Sequence, residues 1–227
     1  MDWNNKEEVL KEVKKDGSKL ILASKKLRND KDVVLEAVKN QGIALKWASD
    51  RLENNKEVVF NAVKNNGLAL EYASYNLTKD KTVVMEAIKN NVYALQYTFN
   101  TFKDDKEFIL QAVSENSKAL QFASPELRDN KEFMLKIIAL KNEGINLEFA
   151  SDRLKNDREF VREACKNDPY AFIYAGNKIK EQFSTVEKFL NSQKEITNDN
   201  PWSKGTEDKS KTWADKVNSD KDNQWER

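Results

Sequence analysis

Catalysis and metal binding need side chains that carry protons, attack electrophiles or donate lone pairs, and this 227-residue chain offers few of them in a usable pattern. Histidine is absent, which removes the commonest general acid–base and the commonest metal ligand together. The single cysteine, Cys165, excludes both a cysteine zinc site and an intrachain disulfide. No glycine-rich phosphate loop, G-x-S-x-G elbow or Cys–His pair occurs. Carboxylates abound, but most of the recurring ones stand at helix N-caps or in first helical turns, where capping accounts for them. Asn198-Asp199-Asn200 is too slight a run to make a calcium loop. The expectation is a protein that is not an enzyme, with no catalytic residue, no metal and no cofactor.

The overall charge narrows the partners. Lys plus Arg number 39 and Asp plus Glu 38, a formal +1. Nucleic-acid modules concentrate a basic face, so this balance argues against nucleic acid as a partner. No run approaches the roughly 20 apolar residues of a membrane helix. Met1 is not followed by a basic stretch and an apolar core, so no secretory signal is expected and the sequence reads as cytoplasmic.

What the chain does have is a period. Lys6, Lys31, Lys56, Lys81, Lys106 and Lys131 each open a matching phrase, 25 residues apart, and a looser copy opens at Arg158. KDVVLEAVKNQGIALKWASDRLENN (31–55) returns as KEVVFNAVKNNGLALEYASYNLTKD (56–80). Such self-similarity marks small supersecondary units that bury their apolar faces against their neighbours. The expected fold is all-α: a right-handed α-solenoid of about seven two-helix copies over residues 1–190, followed by a disordered tail over 191–227.

Within a copy, Asp30, Asn55, Asp80, Asp105, Asn130 and Asp157 occupy the N-cap slot. Val33, Val34, Ala37 and Val38, repeated as Val58, Val59, Ala62 and Val63, form one face of a helix of about ten residues. Gly17, Gly42, Gly67 and Gly144 fall where that helix must stop, which predicts a left-handed glycine at C′. A second apolar stripe, Ala44, Leu45, Trp47 and Ala48, predicts a second helix of about seven to nine residues. After it, Ser24, Ser49, Ser74, Ser124 and Ser151 start a further helical or 3-10 turn, with Pro125 directly after Ser124 as an N1 proline.

Departures from the phrase are the candidate sites. The copy from Lys81 has Val92 in the glycine slot, Thr98-Phe99 for Ala-Ser and Phe102 for leucine, and Tyr93 and Tyr97 make it the most aromatic copy. Those rings either fill a wider gap between copies or form an exposed patch, with Tyr93, Phe99 and Phe102 as partner-binding residues. The copy from Lys131 carries two extra residues before Gly144. In the last copy Arg162 replaces leucine, Pro169 stands near the glycine slot and Gly176 replaces serine, the pattern of a capping unit. Cys165 sits in a valine column and is expected to be buried, and Phe189 and Leu190 are placed to close the core.

The tail has seven basic against eight acidic side chains and few aliphatics. It holds Trp202, Trp213 and Trp225, which either dock back on the helices or anchor a partner as linear motifs.

The phrase D-K-x-V-V-L-x-A-V-x-x-N-G-x-A-L-x-Y-A-S, seen at Asp30–Ser49 and Asn55–Ser74, resembles the repeat family named domain of unknown function 4116 (DUF4116). The resemblance covers about Lys6 to Ile179. It implies a tandem helical repeat and carries over no catalytic or binding residue. The expected role is a non-catalytic protein–protein interaction scaffold or adaptor with a protein partner. Two alternatives stay open: a structural subunit of a larger assembly anchored by its tail, and an RNA-binding helical repeat.

Overall fold

The computed structural model of the chain describes residues 1–140 and 144–198, with side chains placed for 1–140 and 146–192. Trp202, Trp213, Trp225 and the rest of the expected disordered tail beyond residue 198 lie outside the described residues. All regular structure among the described residues is helical.

Each copy is built from three segments rather than two. In the copy from Lys31 these are a long α-helix, Lys31–Asn40, a 3-10 helix, Gly42–Trp47, and one α-helical turn, Asp50–Glu53. The long helix starts where the sequence places it, because Asp30 accepts hydrogen bonds from the Asp32 and Val33 amides. Asn55, Asp80, Asp105, Asn130 and Asp157 cap their helices in the same way. Val33, Val34, Ala37 and Val38 are fully buried along one face.

The second helix of seven to nine residues is corrected to a six-residue 3-10 helix, seen at Gly17–Leu22, Gly42–Trp47, Gly67–Tyr72 and Val92–Tyr97. Its tighter winding brings Gly42 and Leu45 to one side at an interval of three, and with Ala44 they are its buried residues, so few residues suffice to cover the helix below. The third segment starts directly after Ser24, Ser49, Ser124 and Ser151 but only at Leu77 after Ser74, and Ser49 makes no side-chain capping bond. Ser24, Ser124 and Ser151 accept from the amides of Leu27, Leu127 and Leu154, and Pro125 is the first residue of Pro125–Arg128.

The glycines do a different job from the one their position suggests. None of Gly17, Gly42 and Gly67 has a left-handed backbone. Each opens its 3-10 helix, and the long helix of the following copy passes directly over it. A Cβ on Gly17 would collide with the Ala37 carbonyl oxygen and stand 2.9 Å from the Gln41 Cβ. Gly42 meets the Ala62 carbonyl and Gly67 the Ala87 carbonyl in the same way. Glycine is required because two backbones touch, not because the chain turns.

The chain divides into two compact parts, Met1–Phe122 and Ala123–Arg227. In the first, successive long helices pack on one another from Lys6–Val13 to Lys106–Glu115, and successive six-residue 3-10 helices lie side by side from Gly17–Leu22 to Ser117–Phe122. Helices this short are marginal alone, and packing between copies supplies what they lack.

In the second part the long helices Lys131–Leu140 and Arg158–Asn167 pack together, and the Ser151 amide donates to the Arg128 carbonyl at 3.0 Å. The final helix, Val186–Asn198, runs beyond the boundary expected near residue 190 and packs on Arg158–Asn167. Phe189 is fully buried between Phe172 and Phe183, with ring centroids 5.7 and 5.3 Å away, and Leu190 is half-buried beside it. Arg162, buried in the slot that holds leucine elsewhere, donates to the Phe189 carbonyl at 3.2 Å and to Ser192 Oγ at 3.0 Å. Burial, with Arg158 nearby, lowers the proton affinity of its guanidinium. These contacts cap the copy from Arg158 with a helix outside the repeat pattern.

Candidate interaction surface

The three aromatic residues singled out by sequence do not form one patch. Tyr93 is 47% exposed and meets Phe122 edge to face at 6.2 Å. Phe99 is 37% exposed and pairs instead with Tyr75, at 5.6 Å and 89°. Lys79 lays its ammonium over both of those rings, 3.9 Å from Tyr75 and 4.1 Å from Phe99. Phe102 is half-buried and lies against Phe108, a fully buried ring at 4.4 Å. Phe102 therefore fills a gap between copies, and the exposed rings belong to two separate clusters.

A more continuous feature runs along the 3-10 row. The last residue of each six-residue 3-10 helix in the first part is Leu22, Trp47, Tyr72, Tyr97 or Phe122. Leu22 is exposed and the four rings are half-buried, so each presents an edge to solvent. Because the 3-10 helices lie side by side, these residues form a column with one large apolar side chain per copy. Burial, reinforced by the Glu71 carboxylate, raises the phenol pKa of Tyr72 and of Tyr97. Both hydroxyls accordingly stay protonated donors across the physiological range. Lys46 places its ammonium 4.7 Å from the Trp47 ring. The column was visible in the sequence as the recurrent residue before Ala-Ser, but it reads there as core, because nothing in a helical periodicity distinguishes a 3-10 edge from an α-helical interior.

A second recurring set ties the copies together. The Gly17 amide donates to Asn40 Oδ1 at 2.8 Å, and Asn40 Nδ2 donates to the Lys14 carbonyl at 3.0 Å. Asn65 bridges Gly42 and Lys39 at 2.7 and 2.9 Å, and Asn90 bridges Gly67 and Lys64 at 2.7 and 3.1 Å. One carboxamide thus supplies both the acceptor and the donor that the preceding copy lacks at its turn. Ion pairs run parallel to these bridges: Lys6 with Asp30 and Asp32 at 2.8 Å, Lys31 with Glu57 at 2.5 Å and Lys56 with Asp80 at 2.7 Å. The signal for the asparagines was the recurring pair K-N two residues before glycine. Its meaning needs the stacking, since each Asn serves the glycine 23 residues earlier, not its own.

Cys165 is fully buried, and burial pushes its thiol up to about 12, so it is protonated and shielded. Among the described residues no three His, Cys, Asp or Glu side chains gather where they could hold a metal ion, and no helix is long and apolar enough to cross a membrane.

The model of one repeat family matches the chain four times, over residues 5–53, 55–103, 105–142 and 137–180. Each of the first two matches spans two of the 25-residue copies, and the last two overlap where the copy from Lys131 is longer. No curated protein and no solved structure matches the chain. The bridges run unbroken across the gap between the first two matches, where Asn65 holds Gly42, so the stacking does not respect the family's own repeat boundary there. With tandem matches covering most of residues 5–180, the chain belongs to the family described as domain of unknown function (DUF4116).

Proposed function

We propose that the chain is a right-handed α-solenoid of about seven copies that works as a non-catalytic, cytoplasmic protein-binding scaffold or adaptor. The observation that carries this reading is the column Leu22, Trp47, Tyr72, Tyr97 and Phe122. Aromatic side chains with one apolar edge in solvent and, in tyrosine, a protonated hydroxyl are the groups enriched at protein interfaces. Their regular spacing suits an extended segment that contacts successive copies, the usual mode of helical repeat arrays. The charged groups speak for a non-catalytic role: the recurring acids serve caps and lysine bridges, and Cys165 is buried and protonated.

Photo-crosslinking in the native cell tests the proposal. A photoreactive residue replacing Tyr72 or Tyr97 should yield a discrete protein adduct, and one replacing Lys64 on the long-helix row should not. Trp47→Ala, with unchanged melting, should reduce the Tyr72 adduct severalfold. Equal labelling at all three positions, or adducts that carry RNA instead of protein, would overturn it.

A further inference from the structure

Within the first part, the contact between the copy from Lys81 and the copy from Lys106 lacks every directional tie that the earlier contacts make. Val92 stands where Gly17, Gly42 and Gly67 stand. Its side chain is buried, in the space where the next helix's carbonyl would otherwise close in. The residue that would bridge it is Glu115, the counterpart of Asn40, Asn65 and Asn90. A carboxylate has no N–H to give the Lys89 carbonyl, and at the end of Lys106–Glu115 it faces the negative pole of its own helix. Lys81 approaches a ring, with its ammonium 5.9 Å from Phe108, where its counterparts Lys6, Lys31 and Lys56 meet carboxylates. Ser124, in the copy from Lys106, makes no hydroxyl bond back to Asp104 of the Ser49–Asn29 and Ser74–Asn54 kind, a bond that Phe99 in the serine slot also removes from the contact before.

What joins these two copies instead is apolar: Tyr93 on Phe122 and Phe102 on Phe108. Hydrogen bonds fix distance and angle, whereas apolar contact tolerates sliding. Replacing glycine and asparagine together, on opposite sides of one contact, exchanges a rigid joint for a compliant one. We infer that this contact is a hinge, about which the copy from Lys106 changes its angle to the copy from Lys81 while the three earlier copies move as one body with the latter. The inference goes beyond the scaffold reading and does not depend on it.

Pairs of spin labels on the full chain test this by distance distribution. Labels at 39 and 89 span two bridged contacts, and labels at 64 and 114 span one bridged contact and the hinge. All four positions are exposed, and buried Cys165 need not be replaced. The 64/114 distribution should be the broader, and Val92→Gly with Glu115→Asn should narrow it to the 39/89 width. The same double variant should slow amide exchange over residues 106–115 about tenfold, the effect of two restored hydrogen bonds. If the double variant folds poorly, the native chain alone decides: equal widths for the two pairs, or equal exchange of 81–90 and 106–115, would overturn the hinge.

Discussion

At Gly42 the next copy comes so close that no side chain fits, and Asn65 closes the gap with two hydrogen bonds. At Val92, two copies on, a side chain occupies that gap, Glu115 cannot bridge it, and rings fill in. The contrast shows that the glycine and the asparagine of this repeat are one device divided between neighbours. Either half without the other is a liability: a bare glycine leaves a partly buried amide unpaired, and an asparagine facing valine cannot reach it. When the chain gives up one half it gives up both.

The largest effect should come from forcing the break into a regular contact. Gly67→Val sets a branched side chain against the Ala87 carbonyl and is expected to cost about 3 kcal/mol in urea unfolding of the full chain. A loss under about 1 kcal/mol, the size expected of a backbone effect alone, would return the glycine to a turn role. Next, Asn65→Leu removes both bridging bonds, and about 2 kcal/mol should be lost with Gly42 and Lys39 left unpaired. Glu115→Leu, at the matching position of the compliant contact, should change stability by less than about 0.5 kcal/mol, since it breaks no bridge.

Acid should loosen the regular contacts before the compliant one. Burial acts to raise the Asp30 carboxyl, but hydrogen bonds from Lys6 and from the Val33 amide outweigh it and hold Asp30 below the ordinary range. Asp80 is held down in the same way by Lys56 and Val83. A depressed carboxyl contributes stability that is complete above its unfolded value, about 3.9, and is lost as pH falls through the lower folded value. Melting temperature should therefore stay level from about pH 7 to about pH 5 and drop below about pH 4, with a smaller drop in Asp80→Asn. A small effect is also expected for Lys56→Met, whose half-exposed ion pair contributes under about 1 kcal/mol and fades further in salt.

Much of this was legible in the residues. The N-cap column, the valine and leucine faces and the serine starts are local chemistry, so sequence places Asp30, Val33 and Ser124 as the structure does. The capping of the last copy by Phe189 was also foreshadowed, by Arg162 replacing leucine. The glycine was misread because its cause lies in another copy: Gly17 answers to Ala37, and no local rule reports a neighbour's carbonyl. The 3-10 winding of GIALKW escaped because six residues are too few to separate a period of 3.0 from one of 3.6. Tyr93, Phe99 and Phe102 were grouped by proximity in sequence, and the stacking of copies sends each toward a different partner, Phe122, Tyr75 and Phe108.

The asparagine bridge also has a direction. Every Asn reaches back to the copy before it, so a newly made copy leaves the ribosome with its 3-10 turn unfinished and acquires its acceptor only when the following helix has been synthesised. Folding during translation should then advance as a zipper trailing one copy behind the exit tunnel. At Val92, where no such completion is awaited, that coupling is interrupted, and the amino-terminal copies can settle without waiting for the remainder of the polypeptide.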